Sequence, residues 1–307
     1  MKRVLVTGAT GFVGRHAIPG LLERGFEIHA VGRTALPLDD VAWHRADLLD
    51  GSALDSLLGE IQPAHLLHLA WYAEHGHFWE APENLDWVAG STRLLRAFAE
   101  AGGRRLVVAG TCAEYDWSGD CCGPDTPLRP ATLYGACKNA LRQVVDGYAP
   151  SAGLSSAWGR IFFTFGPNEP PDRLIASVAR ALVRGETVAC SAGTQIRDLL
   201  YVEDLADSLA ALLESEVEGA LDLGSGEPLS LREAVERLER TGGRGGVARF
   251  GELPERAGPT RIVADVTRLR DEVGWRPRVG LDEGLERTLA WWSAETQPSP
   301  SARLRRR

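Results

Sequence analysis

The sequence predicts an α/β fold: a doubly wound parallel sheet with helices on both faces, followed by a smaller mixed α/β lobe. Three observations support this prediction. Short apolar runs alternate with longer amphipathic stretches through the first half of the chain, as in strands that alternate with helices. Residues 105–110 are apolar after the first position, which is typical of a parallel strand covered on both faces. A glycine-rich turn at residues 7–14 joins the first apolar run to the first helical segment.

The first turn reads Thr-Gly-Ala-Thr-Gly-Phe-Val-Gly. In such a turn Gly8 permits the tight exit from the strand, Gly11 lets the backbone approach a pyrophosphate, and Gly14 lets the helix pack close to the sheet. The helix N-terminus adds free N–H groups and the positive end of its dipole. We therefore predict a dinucleotide site here. An ordinary strand-to-helix loop is the alternative.

The remaining elements of the first half follow in regular order. Apolar β-branched runs predict strands, and a 3.6-residue period predicts helices. Ser52 is the expected N-cap of the second helix. The predicted strands span residues 4–6, 26–31, 65–70, 105–110 and 155–163, and the predicted helices span residues 12–22, 52–58, 84–101 and 132–148.

The pattern changes after residue 165, where the elements become shorter and mixed. Helices are predicted at residues 173–184, 204–213, 230–239 and 265–273, and extended segments at 194–204 and 220–223. We assign residues 1–165 and about 195–220 to a dinucleotide-binding domain. Residues 166–194 and 221–295 form the predicted substrate-binding lobe over the carboxyl edge of the sheet, where ligands bind in such folds. Residues 296–307 are rich in Pro, Ser and Arg, and we expect a disordered tail.

Composition excludes several functional classes. A net charge of −8 argues against a nucleic-acid partner. No stretch approaches the length of a membrane span, and the N-terminal apolar run is too short for a secretory leader. The five cysteines form no pattern, which favours reduced thiols and a cytoplasmic location. His75 and His77 lack a third ligand at a fitting spacing, so we expect no metal.

Lysine is rare in this chain, because only Lys2 and Lys138 are lysines among 34 basic residues. Lys138 follows Tyr134 by four positions in a predicted helix, so both side chains lie on one helix face. A nearby ammonium lowers the pKa of a phenol and makes it a usable acid or base. Thr111 ends the strand at residues 105–110, where its hydroxyl is expected to meet the same substrate oxygen. A surface Tyr–Lys pair without a role is the alternative.

Together these motifs resemble the extended short-chain dehydrogenase/reductase family, in its group of nucleotide-sugar epimerases, dehydratases and ketoreductases. The resemblance covers about residues 1–290 and implies a Rossmann-type fold and a homodimer through the long helix at residues 84–101. Besides the glycine turn and the Tyr134–Lys138 pair, its markers are Asp47-Leu48, His68-Leu69-Ala70, residues 110–115, Phe165-Gly166-Pro167, residues 197–204, Leu223-Gly224-Ser225-Gly226 and Gly274-Trp275-Arg276-Pro277.

The resemblance implies a role for each site residue. Tyr134 exchanges a proton with the substrate, Lys138 holds the nicotinamide ribose, and Thr111 hydrogen-bonds the reacting oxygen. Arg197 is expected to bind a substrate diphosphate, with an ion pair to Glu203 or Asp204 as the alternative. The remaining cofactor contacts are expected from Gly8, Thr10, Gly11, Phe12, Val13, Gly14, Arg33, Asp47, Leu48, Leu69, Ala70 and Trp71, and the remaining substrate contacts from Tyr72, His75, Cys112, Ala113 and Phe163.

Departures from the family pattern narrow the expected reaction. The 4,6-dehydratases of the family carry Asp-Glu directly after the position of Thr111, whereas this chain has Cys112 and Ala113, which cannot eliminate water. NAD-dependent members place an acid after the second strand, whereas Arg33 stands there and favours NADP(H), with NAD(H) as the alternative. The motif at residues 110–115 is more similar to that of deoxysugar ketoreductases such as CDP-abequose synthase than to that of UDP-galactose epimerase.

These observations lead to one main prediction and two alternatives. We expect NADPH-dependent reduction of the keto group of a nucleotide-linked 4-keto-deoxyhexose. The first alternative is an NAD-dependent nucleotide-sugar epimerase, and the second is a non-catalytic NADP(H)-binding sensor. Phe163, Thr164 and Trp87 stand where many members of the family have other residues, usually asparagine, so a smaller ketone or aldehyde also stays open as the substrate.

Overall fold

The computed structural model describes residues 2–35, 40–51, 54–118, 122–123, 125–255 and 258–296. The strands are β1 (Lys2–Thr7), β2 (Phe26–Gly32), β3 (Val41–Arg45), β4 (His65–His68), β5 (Arg105–Thr111), β6 (Ser155–Ile161), β7 (Phe163–Phe165), β8 (Val188–Cys190), β9 (Ile196–Tyr201), β10 (Gly219–Leu223), β11 (Pro228–Ser230), β12 (Ala248–Phe250) and β13 (Arg261–Ile262). The helices are α1 (Gly14–Glu23), α2 (Leu54–Ile61), α3 (Glu83–Glu100), α4 (Leu133–Tyr148), α5 (Leu174–Arg184), α6 (Val202–Glu214), α7 (Leu231–Thr241), α8 (Thr267–Asp271) and α9 (Leu281–Thr296).

The large sheet confirms the predicted doubly wound architecture. Its strands lie in the order β10-β6-β5-β4-β1-β2-β3, and every neighbouring pair is parallel. Side chains alternate across the sheet because successive residues of a strand point to opposite faces. Val4 and Val6 therefore pack with α1 and α6, whereas Leu5 packs with α2, α3 and α4.

The smaller lobe is built on a second sheet at the carboxyl end of the large one. Its strands lie in the order β11-β9-β13, and β7 pairs with the second half of β9, residues 199–201. Helices α5, α7 and α9 enclose a separate apolar core with this sheet. Helix α9 is an element that the sequence analysis did not predict.

Three strands, β7, β9 and β10, lie in different sheets from those that the predicted domain boundaries imply. The segment predicted as one strand at residues 155–163 is interrupted at Phe162, whose N–H donates to the carbonyl of Leu223 at 3.1 Å. The chain then leaves the large sheet, and β7 pairs with β9. Conversely, β10 joins the large sheet beside β6, although it falls mostly within the predicted lobe. The division into two domains stays a prediction, with these strands exchanged.

Some of the predictions about cysteines, caps and the C-terminal tail concern residues that the structure describes, and others do not. Cys112, Cys122, Cys137 and Cys190 are buried thiols, while Cys121 and the predicted cap Ser52 lie outside the described residues. The predicted tail spans residues 296–307; residue 296 is the last residue of α9, and residues 297–307 lie outside the described residues as well. Within the described ranges no helix is long and apolar enough to cross a membrane.

Glu169 is a buried carboxylate in the loop between β7 and α5, and its protonation should set part of the pH dependence of stability. Its Oε1 lies 3.2 Å from Nε of Arg173, but its buried Oε2 has no hydrogen-bond partner among the residues that the structure describes. Burial raises the pKa of Glu169 from 4.5 to about 7. Because the pKa is higher in the folded chain, the stabilising effect is present below pH 4.5 and is lost as the pH rises through 7.

We therefore expect the free energy of unfolding to fall by about 3 kcal/mol between pH 4 and pH 8 on account of Glu169. Glu169→Gln should remove this part of the pH dependence and make the protein more stable than the wild type at pH 8. Urea unfolding at a series of pH values measures the effect, with the exposed Glu186→Gln as the matched control. Parallel curves for the wild type and Glu169→Gln would contradict the prediction.

Candidate active site

The glycine turn between β1 and α1 has the geometry that its sequence predicts. Gly8 adopts a φ of +73°, and a Cβ at this position would lie 2.7 Å from the backbone N of Ala70. A Cβ on Gly14 would lie 2.1 Å from the carbonyl oxygen of Gly8. Gly14 thus lets the helix approach the turn itself rather than the sheet. The turn is a cradle that side chains would fill, so it fits a dinucleotide pyrophosphate.

A buried hydrogen-bond network holds the ends of β1 and β4 together. Thr7 Oγ1 accepts the N–H groups of Leu69 and Ala70, both at 3.1 Å. It lies 2.7 Å from Nδ1 of His68, whose Nε2 lies 2.8 Å from Oγ of Ser91. Burial lowers the pKa of His68 to about 3, so the imidazole is neutral. The network places Leu69 and Ala70 beside the glycine turn, where the sequence analysis expected them.

The outer side of the turn is covered by residues 166–173, which sequence reasoning did not connect with it. Arg15 donates to the carbonyl of Thr10 at 2.8 Å and also to Oδ1 of Asn168. The guanidinium of Arg173 lies 5.7 Å from the ring centroid of Phe12. Val13 precedes α1 at the N-cap without a side-chain cap. The predicted residues Thr10 and Phe12 are therefore linked to this loop through Arg15 and Arg173, whereas Val13 packs against the core.

The carboxyl ends of β2 and β3 carry the residues expected at the adenosine. Arg33 is exposed directly after β2. Asp47 is exposed and its Oδ1 accepts the N–H of Leu49 at 3.0 Å, whereas the side chain of Leu48 packs in the core. Gly32 pairs with Arg45 across the two strands. Arg45 is thus a second exposed arginine at this edge, and the sequence analysis did not single it out.

Tight packing brings Tyr134 to Thr111. Thr132 caps α4, because its Oγ1 accepts the N–H of Gly135 at 3.1 Å. A Cβ on Gly135 would lie 2.2 Å from the carbonyl oxygen of Ala113, so only glycine lets α4 press against the 3-10 turn Cys112–Glu114 that follows β5. The Tyr134 phenol consequently lies beside the Thr111 side chain, close enough for Thr111 to lower the pKa of the phenol.

The pKa of Tyr134 is raised rather than lowered as predicted, and burial is the cause. The Thr111 side chain offsets this rise in pKa only in part, and Lys138 is not among the groups that shift it. Lys138 is buried, and its Nζ donates to the carbonyl of Ala109 at 2.8 Å. The same Nζ lies 3.9 Å from the ring centroid of Trp71. Burial lowers the pKa of Lys138 to about 7, so much of its charge is lost near neutral pH.

Aromatic side chains surround Tyr134 on the side of the loop between β4 and α3. The rings of Phe78 and Trp79 meet the Tyr134 ring edge-on at 4.9 and 5.9 Å. Trp117 packs against Trp79 at 6.1 Å. Tyr72 instead donates its hydroxyl to Glu74 at 2.8 Å, and His75 lies half-buried in the same loop. Phe78 and Trp79, which were not assigned as site residues from the sequence, are therefore the loop residues that contact Tyr134.

The Trp71 side chain is held by Asn84, which is fully buried. Asn84 Oδ1 accepts from Trp71 Nε1 at 2.7 Å, and its amide donates to the carbonyls of Phe78 and Ala81 at 2.7 and 2.8 Å. Asn84 therefore fixes both ends of the aromatic loop.

Arg197 is a buried cation whose partners are oxygens of neutral groups. It donates to the carbonyl oxygens of Ile196 and Pro259 at 2.8 and 3.1 Å and lies 5.3 Å from the ring centroid of Phe163. The alternative ion pairs do not form, because Glu203 pairs with Arg287 and Asp204 accepts the N–H groups of residues 278 and 279. In the part of the chain that the structure describes, no carboxylate forms an ion pair with Arg197, and Glu255 acts on its charge only from a greater distance. The charge is therefore available to an anionic ligand.

The two residues after Thr111 offer no acid–base pair. Cys112 and Ala113 are both buried, and burial raises the pKa of the Cys112 thiol well above its ordinary value, so the thiol stays protonated. Across the described ranges, no three His, Cys, Asp or Glu side chains come together as a metal site. The arrangement that remains is a pair of hydroxyls, Thr111 and Tyr134, beside a buried lysine.

Comparison with known proteins finds relatives whose similarity covers nearly the whole chain. The model of the "NAD dependent epimerase/dehydratase family" matches residues 4–224. The UDP-glucose 4-epimerase of Bacillus subtilis is 28% identical over 338 residues, covering 97% of this chain and 99% of that protein. The dTDP-6-deoxy-L-talose 4-dehydrogenase (NAD(+)) of Aggregatibacter actinomycetemcomitans is 28% identical over 246 residues, covering 76% and 88%. The structure of MoeE5 in complex with UDP-glucuronic acid and NAD has a TM-score of 0.85 at 30% identity, covering 96% of this chain and 100% of that one.

Proposed function

Because this chain belongs to the NAD-dependent epimerase/dehydratase family, we propose that it reduces the keto group of a nucleotide-linked 4-keto-deoxyhexose with NADPH. The observation that carries the proposal is the Thr111–Tyr134 hydroxyl pair with Lys138 behind it. Two hydroxyls that share one position can bind a carbonyl oxygen and deliver a proton to it. The dehydrogenase relative acts, by its name, at the 4-position of a 6-deoxysugar nucleotide.

The protonation of Tyr134 suits reduction. Burial keeps its phenol protonated at neutral pH, so it is poised to donate a proton to the keto oxygen rather than to remove one from an alcohol. Thr111 orients that oxygen, and the glycine turn with Lys138 would hold the dinucleotide. Bound NADPH would supply the hydride. Dehydration is disfavoured because Cys112 and Ala113 lack the needed acid and base.

The substrate side of the proposal rests on Arg197. Its buried and unneutralised charge suits the diphosphate of a sugar nucleotide. Phe78 and Trp79 beside Tyr134 offer flat apolar faces to a sugar ring. A homodimer is also part of the proposal, because α3 and α4 expose Leu85 and Val144, and apolar groups of this kind suit a helix-to-helix interface.

Arg33 should select the cofactor. It stands at the end of β2, with Arg45 nearby, where a guanidinium can bind a 2′-phosphate. We expect Arg33→Ala to weaken NADPH binding roughly tenfold to a hundredfold and to spare NADH. Fluorescence titration with both nucleotides measures this, with Arg96→Ala on α3 as the control. Equal losses for NADPH and NADH would refute the assignment of the 2′-phosphate site.

A nucleotide-sugar epimerase is the second candidate. It is favoured by the UDP-glucose 4-epimerase relative and by the NAD bound in the MoeE5 structure. An epimerase returns its electrons to the same substrate, so it needs no exchange of cofactor. The two candidates therefore differ in whether the nicotinamide cofactor must leave the protein after each turnover.

Release of the nicotinamide distinguishes the two candidates. Freshly purified protein is denatured, any released nucleotide is identified, and the remaining protein is titrated with NADPH and NADH. A protein that retains no nucleotide, prefers NADPH and oxidises it with dTDP-4-keto-6-deoxyglucose supports the reductase. Stoichiometric NAD that survives purification, with no net NADPH oxidation, would overturn it in favour of the epimerase.

A further inference from the structure

We propose that Glu114 is a positioning residue for Thr111: its carboxylate holds the turn after β5 in the conformation that aims the Thr111 hydroxyl at Tyr134. The inference rests on the role of Thr111 in the proposed function. Glu114 itself lies behind the site and is fully buried. The sequence analysis used it only as part of a motif.

The Glu114 carboxylate accepts three hydrogen bonds from two neighbouring strands, β5 and β6. Oε1 accepts the N–H of Thr111 at 2.9 Å and Nε1 of Trp158 at 2.8 Å. Oε2 accepts Nε of Arg160 at 2.9 Å. Trp158 and Arg160 both belong to β6, so the carboxylate ties the turn directly to the neighbouring strand. Bonds to an ionised acceptor are roughly twice as strong as neutral ones.

Gly110 shows how closely this carboxylate is fitted to the end of β5. A Cβ on Gly110 would lie 2.0 Å from Nε1 of Trp158 and 2.7 Å from Oε1 of Glu114. A side chain here would displace both groups. The backbone before Thr111 is therefore in direct contact with the carboxylate, and the turn has little room for another conformation.

The consequence for Thr111 is a defined direction of its hydroxyl. Thr111 Oγ1 accepts the N–H of Ala113 at 3.2 Å, which is possible only while the turn is intact. The same side chain lies beside the Tyr134 phenol and lowers its pKa. Because the backbone N–H of Thr111 is bound by Glu114, both ends of this residue are held. Loss of the Glu114 carboxylate would free the backbone N–H of Thr111. The turn would then be less constrained, and so would the direction of the Thr111 hydroxyl.

The charge of Glu114 is balanced inside the protein by Arg160, on the side away from Tyr134. The NH1 group of Arg160 donates to the hydroxyl of Tyr115 at 3.2 Å, and that hydroxyl donates to Oδ1 of Asp222 at 2.8 Å. Asp222 lies in β10, so the network spans three adjacent strands of the large sheet. A buried carboxylate that is fully bonded in this way is a rigid support.

A double-mutant cycle tests the inference. The rates of NADPH oxidation with dTDP-4-keto-6-deoxyglucose are compared for the wild type, Glu114→Gln, Thr111→Ala and the double variant. We expect Glu114→Gln to lower kcat at least tenfold with little change in KM, and to have less than a twofold effect in the Thr111→Ala background. Equal effects in both backgrounds would overturn the inference. Glu239→Gln is the control, because Glu239 is a buried carboxylate that binds backbone N–H groups far from the site.

Amide hydrogen exchange provides a readout that does not depend on turnover. In Glu114→Gln we expect the amides of Thr111 and Ala113 to exchange at least tenfold faster, while Val107 in the middle of β5 is unchanged. Unchanged exchange at Thr111 and Ala113 would overturn the inference even if the substrate is misassigned. If Glu114→Gln does not fold, Trp158→Phe removes one donor to Oε1, and the same cycle and exchange measurements apply to it with smaller expected effects.

Discussion

Tyr134→Phe is expected to lower kcat by roughly 10²- to 10⁴-fold while the Kd for NADPH changes less than twofold. The substitution removes the hydroxyl that donates the proton beside Thr111, but it keeps the ring and its contacts with Phe78 and Trp79. The backbone N–H of residue 134 still donates to the carbonyl of Trp79 at 2.9 Å. The loss should therefore fall on the chemical step rather than on folding or binding.

Stopped-flow oxidation of NADPH with dTDP-4-keto-6-deoxyglucose measures this step. Tyr148→Phe is the matched control, because Tyr148 lies at the other end of α4. Its rate should match that of the wild type. A near-normal rate for Tyr134→Phe would show that another group delivers the proton and would refute proton donation by Tyr134.

Arg197→Gln is expected to weaken binding of a nucleoside diphosphate about a hundredfold, with no loss of NADPH affinity. The guanidinium is buried and no carboxylate of the described residues neutralises it, so its charge is available to a diphosphate. Arg197→Lys keeps the charge but loses the two-pronged geometry, and it should show an intermediate loss.

Calorimetric titration with UDP and with dTDP measures both variants. Arg249→Gln serves as the control, because Arg249 is an exposed arginine of the smaller lobe that pairs with Glu252. Thermal unfolding must accompany the titration, since Arg197 also holds carbonyls of residues 259 and 260. Unchanged affinity for both diphosphates in a folded Arg197→Gln protein would remove Arg197 from the substrate site.

The fold of the first half was predictable because its signals are local. Apolar runs and helical periodicity identified the strands and helices of the large sheet, and the glycine turn identified where the first of them meet. The smaller lobe was harder to predict. Its strands are two to six residues long, and they pair with segments distant in sequence. The destination of β7, which leaves the large sheet after Phe162, depends on β9 more than thirty residues later.

In the candidate site, too, some features follow from local sequence and others depend on distant elements. The proximity of Tyr134 and Lys138 follows from their spacing in one helix, and the position of Thr111 follows from the end of β5. The environment of these groups does not follow from spacing. The neighbours Phe78, Trp79, Trp158 and Arg160 come from other elements, and they determine how deeply the site is buried and which donors reach it.

The sequence by itself determined the family and the doubly wound sheet, and it predicted the hydroxyl pair with its lysine. Only the tertiary structure decided the protonation of that lysine and of Tyr134. The expected lowering of the phenol pKa assumed a charged neighbour in water, whereas burial disfavours charge on both groups. Desolvation depends on everything that packs around a group, so no motif of a few residues can encode it.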